Sequence, residues 1–125
     1  MRCLVRVLLV MAATCTLVGC RQEAHTSPTG KYRFEPYVIR DVTARADYLT
    51  IAFKLYDAEG KEIAELRTHA PDRADWKIGW DDHERIWINS RDIGMWYWER
   101  RPDTGSWVRK EWKVGGPETP AHIHF

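Results

Sequence analysis

Beyond residue 30, apolar and polar residues alternate with a period of two, the spacing that puts every second side chain on one face of a β-strand. Short runs rich in Tyr, Val, Ile, Phe and Trp are broken by clusters of Gly, Pro, Asp and Asn every 8 to 12 residues. No stretch carries a helical stripe, and only Asp41 to Asp47, with Ala44 and Ala46, has the composition of a helical turn. The best-specified element is a hairpin from Tyr48 to His69. Asp57-Ala58-Glu59-Gly60 suits a four-residue loop built on a type I turn, closed by Gly60 in the left-handed conformation. Pairing Tyr56 with Lys61 places Leu49, Ile51, Phe53, Leu55, Ala64 and Leu66 on one face. Thr50, Lys54, Lys61, Glu65 and Arg67 fall on the other, and Glu62, opposite Leu55, is the misfit.

The same turn grammar recurs at Pro102-Asp103-Thr104-Gly105, joining Gly94–Arg101 to Ser106–Val114 with Arg101 opposite Ser106. A third hairpin bends at Asp81-Asp82-His83-Glu84, between Trp76–Trp80 and Arg85–Asn89, and Asn89-Ser90-Arg91-Asp92 is a further turn. Tyr32–Val42 contains Pro36 and therefore belongs at a sheet edge. About seven strands result, so the pattern predicts an all-β domain, a small antiparallel β-sandwich or β-barrel joined by hairpins and meanders. Residues 31–114 form the single β domain on this reading, and Gly115-Gly116-Pro117 opens a C-terminal tail over 115–125.

The beginning of the chain has a different texture. Arg2 and Arg6 precede an apolar or small stretch from Val7 to Val18, shorter than the roughly 20 apolar residues a membrane-spanning helix needs. It ends in Leu17-Val18-Gly19-Cys20. Charge, apolar length and terminal motif together resemble the lipobox signal peptide of bacterial lipoproteins. The resemblance implies that residues 1–19 are a signal peptide, that Cys20 is acylated, and that the mature protein is membrane-bound through the lipid. It also implies a place in the bacterial cell envelope. Arg21 after the anchor, in place of an aspartate, fits the periplasmic face of an outer membrane if the cell is diderm. Residues 20–30 are polar, lack periodicity and contain Pro28 and Gly30, the composition of a lipidated flexible tether.

Charge and cysteine content narrow the function classes. Without Arg2 and Arg6 the 19 basic residues fall to 17 against 18 acidic ones, which offers no nucleic-acid footprint. On the processing that the lipobox resemblance implies, Cys3 and Cys15 leave with the signal and Cys20 is consumed by lipid, which leaves no thiol for a disulfide, a metal or nucleophilic catalysis. There is no G-x-S-x-G elbow and no phosphate-cradling glycine loop, and Ser90 and Ser106 sit in turns. The sequence therefore implies neither a catalytic residue nor a cofactor.

All 7 tryptophans lie between Trp76 and Trp112. In the last hairpin one face carries Trp96, Trp98, Arg100, Trp107, Arg109 and Glu111. The other carries Met95, Tyr97, Glu99, Val108, Lys110, Trp112 and Val114. The second set supplies a core, while the first interleaves tryptophan with charge, as an exposed cation–π ladder does. The expected binding surface is accordingly Trp96, Trp98, Arg100, Trp107 and Arg109, open to a protein or a sugar ring. Asp82 and His83 in the acidic turn, and His122 and His124 on an extended tail, are weak metal-ligand candidates: neither pair has a third ligand at a recognisable spacing. The sequence thus predicts an envelope lipoprotein that binds an unidentified protein or glycan without covalent chemistry. The alternative is a periplasmic immunity or inhibitor protein that neutralises a toxin or hydrolase with its acid-rich turn, and a small envelope enzyme ranks below both.

Overall fold

A computed structural model describes residues 23–40 and 49–125. The expected signal segment, Cys20 and the helical turn within Asp41 to Asp47 lie outside the described residues. Strands β1 (His25–Thr26), β2 (Tyr32–Arg40), β3 (Leu49–Asp57) and β4 (Glu62–Pro71) form one antiparallel sheet in that order. Strands β5 (Trp76–Trp80), β6 (Ile86–Ser90), β7 (Gly94–Arg100) and β8 (Trp107–Glu111) form the second. The two sheets pack face to face as a sandwich and do not close into a barrel.

The core lies between them. Phe34, Ile51, Phe53, Leu55, Leu66 and Ala70 project from the first sheet, and Trp80, Ile86, Ile88 and Trp98 from the second. Ring contacts stitch the layers: Phe53 meets Trp98 edge-on with centroids 5.5 Å apart, and Phe34 tilts against Trp80 at 5.5 Å. Such pairs add roughly 0.5–1.5 kcal/mol each beyond the area they bury.

From Ile51 onward the Leu49–Pro71 hairpin keeps the expected faces, whereas at its open end Leu49 is exposed and Thr50 buried, and its register differs. Lys61 closes on Asp57 instead of on Tyr56: the Asp57 N–H donates to the Lys61 carbonyl at 2.9 Å, leaving a shorter loop with Gly60 at φ 82°. A register shift then follows between Leu55 and Tyr56, so Tyr56 pairs with Glu62 and Leu55 pairs with Ala64. The misfit resolves itself, because Glu62 lies exposed 3.9 Å from Lys54. One extra residue in a bulge costs less than a carboxylate facing the core.

A second bulge interrupts β4 further on, where pairing moves from Ala52–Arg67 to Thr50–Pro71. His69 has φ 63°, and the buried Thr68 hydroxyl repairs the ladder by donating to the Ile51 carbonyl at 2.6 Å and accepting from the Ala70 N–H at 3.0 Å. The last hairpin matches its expected register from Arg100 opposite Trp107 to Trp96 opposite Glu111, but β8 ends there, and Val114, expected to join the core of its face, is 94% exposed.

Both ends of the domain extend further than the pattern implied. Within the expected tether, His25 and Thr26 pair with Phe34 and Arg33. The His25 carbonyl accepts from the Trp80 indole at 2.9 Å, and its ring stacks on Phe34 at 4.8 Å. This short β1 is the eighth strand. It ends before Pro36, which pairs with Phe53 where β2 is the outermost strand among the described residues. The C-terminal segment is also not a free tail: Ile123 is fully buried on the outer face of the second sheet.

Candidate functional site

The expected ladder Trp96, Trp98, Arg100, Trp107 and Arg109 requires correction, because the face it occupies is turned inward. Trp98 is 2% exposed at the centre of the core, and Trp96 and Trp107 are half-buried against it. Only Arg100, at the loop end, is exposed. Arg109 can lie on this face because it reaches the seam where β8 passes over β4. Its guanidinium stacks 3.7 Å from the Trp96 ring, and Nη2 donates to the Thr68 carbonyl at 3.0 Å. That carbonyl belongs to the β4 bulge. Burial lowers the Arg109 pKa, opposed by the nearby Glu111, and its buried Nε has no hydrogen-bond partner among the described residues. The cost of burying the charge is partly offset by a carbonyl on a strand 41 residues away.

The opposite face is where the second sheet meets something new. Trp87 and Tyr97 stack with centroids 4.7 Å apart, flanked by Met95 and Trp112, and Ile123 closes the cluster. Residues 117–125 run across this face as a strap, making a single 3₁₀ turn at Ala121–Ile123. Gly79 lies beneath it: a Cβ there would come 2.2 Å from the His122 Nε2, so only glycine leaves room for the imidazole.

Strap and β5–β6 turn together bound a cleft of about 310 Å³. Trp80, Asp82 and His83 line one side, Glu118, Pro120 and His122 the other. The turn is rigid for a clear reason. The Asp81 carboxylate, buried, accepts from the N–H groups of His83 (2.8 Å) and Arg85 (3.0 Å), from the Arg85 Nε (2.6 Å) and from the Trp87 indole (2.8 Å). Burial pushes its pKa up, but these donors outweigh it and hold the carboxyl below the ordinary value. Glu84 takes φ 60°, the left-handed position this glycine-free turn needs, and its Oε1 accepts from the Thr29 N–H at 2.8 Å. Two of the four residues of the expected acidic tip are therefore structural, and Asp82 and His83 are the exposed pair.

The weak metal candidates are not brought together into a ligand set. No group of three or more His, Cys, Asp or Glu side chains suited to an ion occurs among the described residues. The expectation that His122 and His124 point the same way assumed an extended segment. The 3₁₀ turn separates them, with His122 seated over Gly79 and His124 bonded to the Thr119 hydroxyl at 2.8 Å.

Comparison with protein-family models, with curated proteins and with solved structures finds no match for this chain. The cleft and the strap were both missed at the sequence level. The available hints were Gly79 in an otherwise bulky strand and Ile123 set between two histidines.

Proposed function

We propose that this is a lipid-anchored bacterial envelope protein that binds a protein partner non-covalently, and that the cleft between the β5–β6 turn and the strap is its contact site. The observation that carries the reading is the cleft itself, a concavity walled by a turn that four hydrogen bonds to Asp81 hold rigid. Because Arg85 is neutralised by Asp81 at 2.6 Å, the uncommitted charge of the lining is that of Asp82 and Glu118. Two exposed carboxylates beside two imidazoles suit a cationic side chain, the Lys or Arg of a partner. The glycan version of the reading relied on coplanar open tryptophans and has lost that support. An immunity or inhibitor role remains a second form of the proposal, favoured by the rigidity of the turn that presents Asp82 and His83.

The test uses the full chain in detergent as bait for envelope extracts, beside the double variant Asp82→Lys with Glu118→Lys. The expected result is one partner captured by the wild type, released by salt, and lost in the variant at unchanged melting temperature. Equal capture by both would remove the cleft from the interface. The anchor is tested separately: Cys20→Ala should abolish palmitate incorporation, and full labelling of that variant would overturn it.

A further inference from the structure

We propose that the cleft is a proton-sensitive site, which holds a cationic side chain while its imidazoles are neutral and releases it when they are protonated. The inference rests on the reading of the cleft as a contact for a partner's Lys or Arg, and adds to it how that contact is regulated. It does not depend on the lipid anchor, and it requires no segment of the fold to move.

The two walls are built alike. The turn presents Asp82 next to His83, and the strap presents Glu118 with His122, so each wall carries one exposed carboxylate and one exposed imidazole. Histidine is the side chain whose charge changes between about pH 5 and 8, whereas carboxylates change theirs near pH 4. With both rings neutral these four side chains carry a double negative charge; with both rings protonated that charge is cancelled. Attraction for an ammonium or guanidinium group is therefore present near neutral pH and lost in mild acid.

The neighbouring charges leave this change unmasked. Arg85 is paired with Asp81 at 2.6 Å, and the donors around the Asp81 carboxyl hold it below its ordinary value against the effect of burial, so the pair keeps its charges throughout the histidine range. Glu84 is committed to the Thr29 N–H at 2.8 Å, and Lys77 donates to the His124 carbonyl at 2.7 Å. Beneath the strap, β6 offers the uncharged Trp87 and Asn89. On the β1 side stands His25, half-buried, its ring stacked on Phe34 at 4.8 Å. Burial lowers the His25 pKa; Glu23 opposes the shift and His122 adds to it. The neutral His25 ring thus favours the paired β1, a contribution complete above pH 6.5 and lost as the pH falls below it. His83 and His122 are exposed, so solvent protons reach them directly. His122 also has a defined place, because its ring occupies the space that only glycine at position 79 leaves open.

The experiment titrates the full chain in detergent with amidated hexalysine at about pH 7.5 and about pH 5.5, and follows the imidazole resonances by NMR. The expected result is saturable binding at the higher pH that weakens about tenfold at the lower, with the ratio falling to near one in the double variant His83→Gln with His122→Gln. By reciprocity, saturating hexalysine should lower the apparent pKa of both rings in the wild type. Equal wild-type binding at the two pH values, or a ratio that survives in the double variant, would overturn the switch and leave the cleft as a cation site. Ring titrations unchanged by hexalysine would do the same, even if the double variant failed to fold. Loss of the ratio in His25→Gln alone would assign the pH dependence to loosening of β1 and overturn the proposal as well. Absence of binding at either pH, or binding indifferent to Asp82→Lys with Glu118→Lys, would overturn the reading of the cleft itself and the switch with it.

Discussion

The outer faces of the two sheets obey the same alternation and solve opposite problems. On the first sheet, Arg33 lies 4.6 Å from the Tyr56 ring centroid, Lys54 lies 5.1 Å from that of Tyr37, and Arg67 pairs with Glu65 at 3.1 Å. These residues are polar or amphipathic and the face is left to water. On the second sheet the corresponding face holds Gly79, Trp87, Tyr97 and Met95, and Trp87 is fully buried there because the strap covers it. A polar outer face is solvated by its own side chains. An aromatic one needs cover, and here the cover comes from the far end of the chain.

Substitutions can sharpen or break this contrast. The largest effect is expected on the inner face: Trp98→Ala should lower stability by about 3–5 kcal/mol, read from urea midpoints. A loss below about 1 kcal/mol would mean that the ladder is open after all. Next comes Asp81, which anchors the Trp87 indole. Its carboxyl is held below the ordinary value of 3.8, so its stabilisation is fully present above that pH and is lost as acid carries the pH through the lower folded value. Asp81→Asn should therefore cost about 1.5–3 kcal/mol at neutral pH and flatten the acid limb of the stability curve. A variant with an unchanged acid limb would show that the carboxylate is not what holds the turn.

Ile123→Ala should cost about 2 kcal/mol, the low end for a buried isoleucine because the strap can settle, while Val114→Ala, in the exposed turn before it, should cost almost nothing. Equal melting temperatures for the two would return the strap to the status of a free tail. Gly79→Ala should cost about 1 kcal/mol, because the new methyl displaces the solvent-exposed His122 ring while the core stays put. Faster proteolysis within residues 117–125 at unchanged core protection is its expected signature. The smallest effect belongs to the first sheet, where Lys54→Ala should stay within about 0.5 kcal/mol.

The legible parts of the sequence were those settled by neighbours. The Pro102–Gly105 turn and the alternation on either side of it specified the last hairpin residue by residue, down to Trp98 opposite Arg109. Face membership in Leu49–Pro71 was equally clear from Ile51 onward, although its register moved when Glu62 was offered a bulge. The metal candidates and the acidic tip misled, because reading residues by type does not reveal that Asp81 and Glu84 are already committed as hydrogen-bond acceptors.

The sequence alone determined the all-β class, the hairpin turns and which side chains share a face, since each depends on backbone geometry over a few adjacent residues. Only the tertiary structure decided which face of the last hairpin is core. Both faces carry large aromatics, so the choice fell to contacts between distant segments: the Thr68 carbonyl that receives Arg109 inside, and Ile123 that covers Trp87 outside. Neither contact leaves a periodic trace, because each joins residues whose spacing along the chain is set by everything folded between them.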